Sequence, residues 1–203
     1  MDIKIIFLYI FSYLLGSIPF ALLVSLPQGI DPRKEGSKNP GATNVARLLG
    51  KKWGIVTFLG DAGKGVLALV LAFFLIRNDP NINKELVLTG VGFFAVLGHL
   101  FSVFLKFEGG KGVATTIGIF LFLTPKAMLV GLVIFAIAVV ITGFVSVGSL
   151  LTTFCLPFLI YFFHYPKSYV LCSIGLGILI WFKHKDNIKR LLEGKEKSWK
   201  KKK

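Results

Sequence analysis

Residues 5–26, 86–105, 127–163 and 168–182 carry no Lys, Arg, Asp or Glu. This distribution of charge constrains the chain more than any other feature, because a helix crosses the hydrocarbon core of a bilayer with about 20 apolar residues. The run 127–163 is long enough for two crossings. A further apolar stretch, 53–76, suffices for one, although Asp61 and Lys64 lie inside it. With 54% of its 203 residues hydrophobic, the chain is expected to be an all-α integral membrane protein.

The apolar stretch 113–123 is too short to cross alone at about 1.5 Å per residue. Charge decides its place. The formal net charge is +14; residues 27–52 hold Arg33, Lys34, Lys38, Arg47, Lys51 and Lys52, and residues 183–203 form a second basic cluster. Basic connections stay on the cytoplasmic side. With 53–76 and 86–105 as an out-and-back pair, the tail returns to the cytoplasm only if 113–123 crosses with help from its flanks. Seven transmembrane helices follow, N-terminus outside and C-terminus inside, in a single membrane-embedded domain (1–203) that ends in a basic cytoplasmic tail (183–203). On this map Lys4, Arg77, Lys84, Lys126 and Lys167 face outward and Lys64 lies within a span, out of 24 Lys and Arg.

The first apolar run exceeds a signal peptide's core and precedes many further spans, so it is expected to be a retained helix. Cys155 and Cys172 lie in predicted spans without paired His or metal-ligand spacing, which fits small apolar packing residues. No metal site and no cofactor are expected. The terminal run 200–203, four lysines, fits a lipid-contacting tail, a solvated end or an expression remnant. Nucleic acid is not an expected partner, since no recognition module is left outside the membrane.

Function is thereby left to the cytoplasmic connections. The first, "GIDPRKEGSKNPGATNVARLLGKKWG" (29–54), is long, with two X-Pro steps and internal glycines, and is expected to be largely irregular. Irregular backbone at the membrane edge must fold against protein or line a polar cavity. Ser37, Asn39, Thr43 and Asn44 supply hydroxyl and amide groups, and Arg47 a planar fork suited to an oxyanion. The alternative is a basic loop that only obeys topology.

The second connection contains "KFEGGKGVATT" (106–116). Gly109, Gly110 and Gly112 let backbone approach an anion, and Lys111 brings positive charge to the same place. A helix beginning near Gly112 would add its N-terminal dipole and first N–H groups. The stretch is not a nucleotide P-loop, which would need glycine at Leu105 and Ser or Thr at Gly112.

Inside the span 53–76, Asp61 and Lys64 are three apart and share a helix face. One charge at mid-bilayer costs about 2.5 to 3.5 kcal/mol on insertion scales, so a structural ion pair is expected. His99 reads as an interhelical hydrogen-bonding residue and His164 as interfacial. "GFVSVGS" (143–149) brings Ser146 and Ser149 to the next cytoplasmic turn. "KHKDNIKRLLEGKE" (183–196) puts His184 and Asn187 on one face if the last helix continues.

The segments "EGSKNPGATNVAR", "GHLFSVFLKFEGGKGVAT" and "HKDNIKRLLEG" together closely resemble the motifs of the bacterial acyl-phosphate:glycerol-3-phosphate acyltransferases, the PlsY family, and the resemblance extends over essentially the whole chain. It implies transfer of an acyl group from acyl phosphate to the 1-hydroxyl of sn-glycerol 3-phosphate, giving lysophosphatidic acid and phosphate, the first acylation of phospholipid synthesis. It implies a bacterial inner membrane with the active site facing the cytoplasm. Ser37 and Arg47 match the critical residues of the first motif. Gly109, Gly110 and Gly112 match the glycerol phosphate loop, with Lys111 beside them. His184 and Asn187 match functional positions of the third motif, Glu193 a structural one and Ser149 a further site serine.

Both substrates of such a reaction carry phosphate, which a cluster of Arg, Lys and backbone N–H suits. The His-x4-Asp dyad of acyl-CoA-dependent acyltransferases is missing, with Phe104 five residues after His99 and Lys189 five after His184. Direct attack with the departing phosphate as base is expected, Arg47 and Lys111 stabilising charge; an acyl-enzyme on Ser37 is the alternative. The competing functional class is a transporter of a phosphorylated metabolite, which internal repeats would favour. None are visible.

Overall fold

The computed structural model describes residues 2–199, so the lysine run 200–203 lies outside the described residues. Regular structure among the described residues is entirely helical. The chain groups into two compact units, residues 1–122 and 123–203.

In the first unit, α1 (Ile3–Ser17) starts at Asp2, whose side chain accepts from the Lys4 amide at 2.9 Å. Pro19 has no N–H to give and interrupts the first apolar run; α2 (Phe20–Ser25) restarts it. The segment expected to be irregular holds an eight-residue helix, α3 (Ala42–Leu49), because Gly41 and Gly50 frame a stretch free of Pro and Gly. The apolar helices α4 (Lys51–Ile76) and α5 (Lys84–Leu100) follow, then α6 (Val113–Leu123).

α1 packs on α5 and α4. The approach to α5 is close, since a Cβ on Gly16 or Gly98 would overlap the carbonyl of Ala95 or Tyr13. Tyr13 Oη donates to the Phe101 carbonyl and Ser102 Oγ to that of Ser17, both at 2.6 Å, tying the same ends together. α6 lies on α4, with Gly65 against Thr115 and Ile119 and Gly118 against Ala62. At the opposite end of the unit, Lys4 Nζ is 3.9 Å from Asp79 in the α4–α5 turn.

In the second unit the run 127–163 splits as its length requires, into α7 (Pro125–Thr142) and α8 (Val145–Phe162). Gly143, at φ 79°, makes the turn in the left-handed region. α9 (Lys167–Lys183) packs on α8 and is uncharged between its terminal lysines. It does not continue into the tail: the chain bends at His184 before α10 (Lys185–Leu192). His184 itself closes α9, its amide donating to the carbonyls of Ile180 and Trp181 at 3.0 Å. Lys126 N donates to Tyr165 Oη at 3.4 Å at one end of the unit, and Trp199 N to the Gly143 carbonyl at 2.7 Å at the other.

Among the described residues, five segments are long and apolar enough to cross a membrane: Ile3–Gln28, Lys51–Ile76, Lys84–Leu105, Pro125–Thr142 and Val145–Phe162. α6, at 11 residues, is a shorter apolar helix, and α9 has 17. Their outer faces carry Phe7, Phe74, Val140 and Phe162, the last 71% exposed. Aromatic and aliphatic surface on that scale belongs against lipid, not water.

Candidate active site

In the first unit the loop 29–41 is held from within. Asn44, 1% exposed on α3, accepts from the Ser37 amide at 2.8 Å and donates through Nδ2 to the carbonyls of Pro32 (2.9 Å) and Glu35 (3.0 Å). Both hydrogens of its amide are thus spent on backbone. Asn44 thereby braces the loop that presents Ser37. Arg33 is likewise engaged, its Nε and Nη2 on Asp31 at 2.9 and 2.8 Å, and those bonds hold the Asp31 carboxyl down at about 2. Ser37, Asn39, Thr43 and Arg47 are each half-buried, with Arg47 in the last turn of α3.

The glycine loop approaches this segment at Gly110. A Cβ on Gly110 would overlap His99 Nε2 and stand 3.1 Å from the Pro40 carbonyl, so glycine is required by proximity. The amides of Gly109 and Gly110 donate to the carbonyls of Leu100 and His99 at 3.2 and 3.1 Å, satisfying the C-terminal carbonyls of α5. These bonds dock the loop onto the end of α5. Gly112, at φ 83°, turns the chain into α6 and accepts the first helical bond from Thr116 N at 2.9 Å. The first-turn N–H groups and positive dipole end of α6 thus lie beside the half-buried Lys111. Lys106 and Phe107 both have positive φ, 52° and 65°, a costly conformation for side chains of that size.

Beneath the loop the predicted pair is present. Lys64 Nζ lies 2.9 Å from Asp61 Oδ1 and donates to the Ile18 carbonyl, beside the Pro19 break, at 2.8 Å. His99 Nδ1 is 3.4 Å from the same Asp61 oxygen.

The second unit gathers the remaining candidates. His184, 3% exposed, places Nδ1 2.8 Å from the Ile180 carbonyl; a carbonyl only accepts, so Nδ1 carries the hydrogen. Asn187 is buried on α10 and donates to Glu196 Oε1 at 2.6 Å. Ser146 Oγ donates to the same oxygen at 2.9 Å and Arg190 Nε to Oε2 at 2.8 Å. Burial raises the Glu196 pKa, but the bonds from Arg190, Asn187 and Ser146 outweigh it and hold the carboxyl below the usual glutamate range. Ser149 is buried and bonded to the Val145 carbonyl at 3.0 Å.

Sequence reasoning gave the third motif's structural role to Glu193. That side chain is exposed and paired with Lys195 at 3.2 Å. The carboxylate that organises Asn187 is Glu196, which sequence reasoning missed together with Arg190. The signal was faint: Asn187 and Arg190 lie three apart on α10, and Glu196 follows a Gly194 turn at φ 68°.

The sequence profile described as glycerol-3-phosphate acyltransferase matches residues 6–194. The chain belongs to that family. Members from Desulfotalea psychrophila and Trichlorobacter lovleyi, each named glycerol-3-phosphate acyltransferase, are 51% and 42% identical to it over 191 and 189 residues, which is 94% and 93% of this chain and 96% and 94% of theirs. The crystal structure of PlsY, an integral membrane glycerol 3-phosphate acyltransferase, in its glycerol 3-phosphate form, aligns with a TM-score of 0.90 at 36% identity, covering 97% of this chain and 96% of that one. The lysophosphatidic acid form of PlsY aligns with a TM-score of 0.87 at the same identity, covering 96% and 95%. This chain, too, is an acyltransferase enzyme of the membrane.

Proposed function

We propose that this acyltransferase moves the acyl group of an acyl phosphate to the 1-hydroxyl of sn-glycerol 3-phosphate, yielding lysophosphatidic acid and inorganic phosphate. The observation that carries the reading is the glycine loop, which sets Lys111 at the N-terminus of α6 at the edge of an apolar bundle. A phosphate bound there meets a cation and a helix dipole end together. The two forms in which PlsY was crystallised support the acceptor and the product.

In this reading the acceptor's 1-hydroxyl oxygen attacks the acyl carbonyl carbon and the carbonyl–phosphate bond breaks. The departing phosphate oxygen takes the hydroxyl proton. An acyl phosphate is a mixed anhydride, so an enzyme nucleophile is unnecessary. Arg47 and Lys111 are read as balancing the phosphate charges and Ser37, Asn39 and Thr43 as orienting phosphate oxygens, and Ser149, His184 and Asn187 are read as further catalytic residues. Glu196 holds the Asn187 amide so that its orientation is set before substrate arrives.

The acyl tail has a natural place. A groove of about 510 Å³ between α8 and α9 is lined by Phe154, Pro157, Phe158, Ile174, Gly177 and Trp181, among others, and runs along α9 from Trp181 back to Val170, roughly 16 Å of helix. Burial of each CH₂ there contributes about 0.8 kcal/mol. The whole chain is read as one catalytic domain with seven crossings, α6 and α9 included, its N-terminus outside and its active site facing the cytoplasm of a bacterial inner membrane.

Proteoliposomes supplied with palmitoyl phosphate and glycerol 3-phosphate test the proposal. Lysolipid and phosphate formed in equal amounts support it. Counterflow of glycerol 3-phosphate without chemistry would replace it with the transporter reading.

A further inference from the structure

The buried charged residues beneath the glycine loop have no part in the proposed chemistry. Asp61, Lys64 and His99 are 2%, 3% and 8% exposed, too enclosed to touch a soluble acceptor. An apolar trio would fill the same space without the insertion cost of two charges, so the ionic arrangement has to be justified by the geometry it fixes. What it fixes is His99. Nδ1 of the ring faces the Asp61 carboxylate at 3.4 Å, Asp61 is ion-paired with Lys64 at 2.9 Å, and Lys64 donates to the Ile18 carbonyl at 2.8 Å. The opposite ring edge, Nε2, lies against Gly110, and the His99 carbonyl takes the Gly110 amide at 3.1 Å. One residue thus contacts the loop through both backbone and side chain, and its ring cannot rotate without leaving Asp61.

We infer that Asp61 and His99 form a positioning pair that sets the glycine loop 109–112, and with it Lys111, for the phosphate of the acceptor. The inference rests on reading that loop as the glycerol 3-phosphate site. His99 acts through Gly110 and touches no substrate.

The test compares His99→Asn, His99→Gln, Asp61→Asn and Gly110→Ala in the full-length enzyme, with KM measured separately for glycerol 3-phosphate and palmitoyl phosphate. The Asn side chain keeps an amide near the Nδ1 position and withdraws from the loop, whereas Gln reaches the Nε2 position. His99→Asn and Asp61→Asn are expected to raise KM for glycerol 3-phosphate about tenfold while KM for palmitoyl phosphate stays within about twofold, and His99→Gln to recover most of the loss. Gly110→Ala is expected to give the same split, and its combination with His99→Asn less than the product of the two effects.

A uniform fall in kcat with both KM values unchanged, or equal rises in both, would overturn the positioning role. If His99→Asn fails to fold, Asp61→Asn and Gly110→Ala decide by the same split. If Gly110→Ala leaves the glycerol 3-phosphate KM unchanged, the reading of the loop falls. If Gly110→Ala shifts that KM and neither His99 variant does, only the pair falls.

Discussion

Arg47 shows how much of the proposed site rests on the chemistry of single side chains. A guanidinium presents a planar fork to phosphate that an ammonium cannot reproduce. Arg47→Lys is therefore expected to lower kcat/KM about 100-fold, close to the loss in Arg47→Ala, in a steady-state assay with both substrates. Glu196 makes a different prediction. Its pKa is depressed in the folded protein, so the stabilisation it provides is present above the ordinary glutamate value of 4.5 and is lost as pH falls through its lower folded value. Thermal melts in detergent should find Glu196→Gln less stable than the parent by a few degrees at neutral pH, with the gap closing in acid below 4.5. A gap that persists unchanged in acid would remove the carboxylate from this role. Residue type and spacing made the Asp61–Lys64 pair legible from sequence. The bracing bonds of Asn44 are not legible, because an amide near a serine looks the same whether its hydrogens face a ligand or, as here, the carbonyls of Pro32 and Glu35.

Among the elements, the apolar runs located α1, α4, α5 and α7 to α9 well, since the bilayer permits few other arrangements of uncharged sequence. Two elements were not legible. α3 hides in a polar stretch because its helix faces are set by packing on α4, and α10 separates from α9 only because His184 caps the preceding turn. The α8–α9 groove could not be inferred from sequence at all, as periodicity does not report depth. Gly177 lines it, and a Cβ there would stand in ordinary contact, 3.5 Å from the Thr153 carbonyl, with a larger side chain left to fill the groove. Gly177→Leu is expected to shorten the accepted chain, lowering the rate with palmitoyl phosphate about tenfold more than with lauroyl phosphate in parallel assays. An equal loss for both chains would place the acyl tail elsewhere.

For the whole molecule, charge bias sets the expected orientation. In a Cys155→Ser, Cys172→Ser background, an impermeant thiol reagent should label Lys4→Cys and Asp79→Cys from outside the cell, and Lys34→Cys and Lys195→Cys only after the membrane is opened. The 3.9 Å contact between Lys4 and Asp79 already requires the first two to agree with each other. The central claim is direct acyl transfer between two phosphate-bearing substrates, and a rapid-quench single turnover with carbonyl-labelled palmitoyl phosphate tests it most directly. The account predicts label passing from donor to lysophosphatidic acid with one phosphate released for each, and none on the protein. Label recovered on Ser37 during the turnover would contradict it.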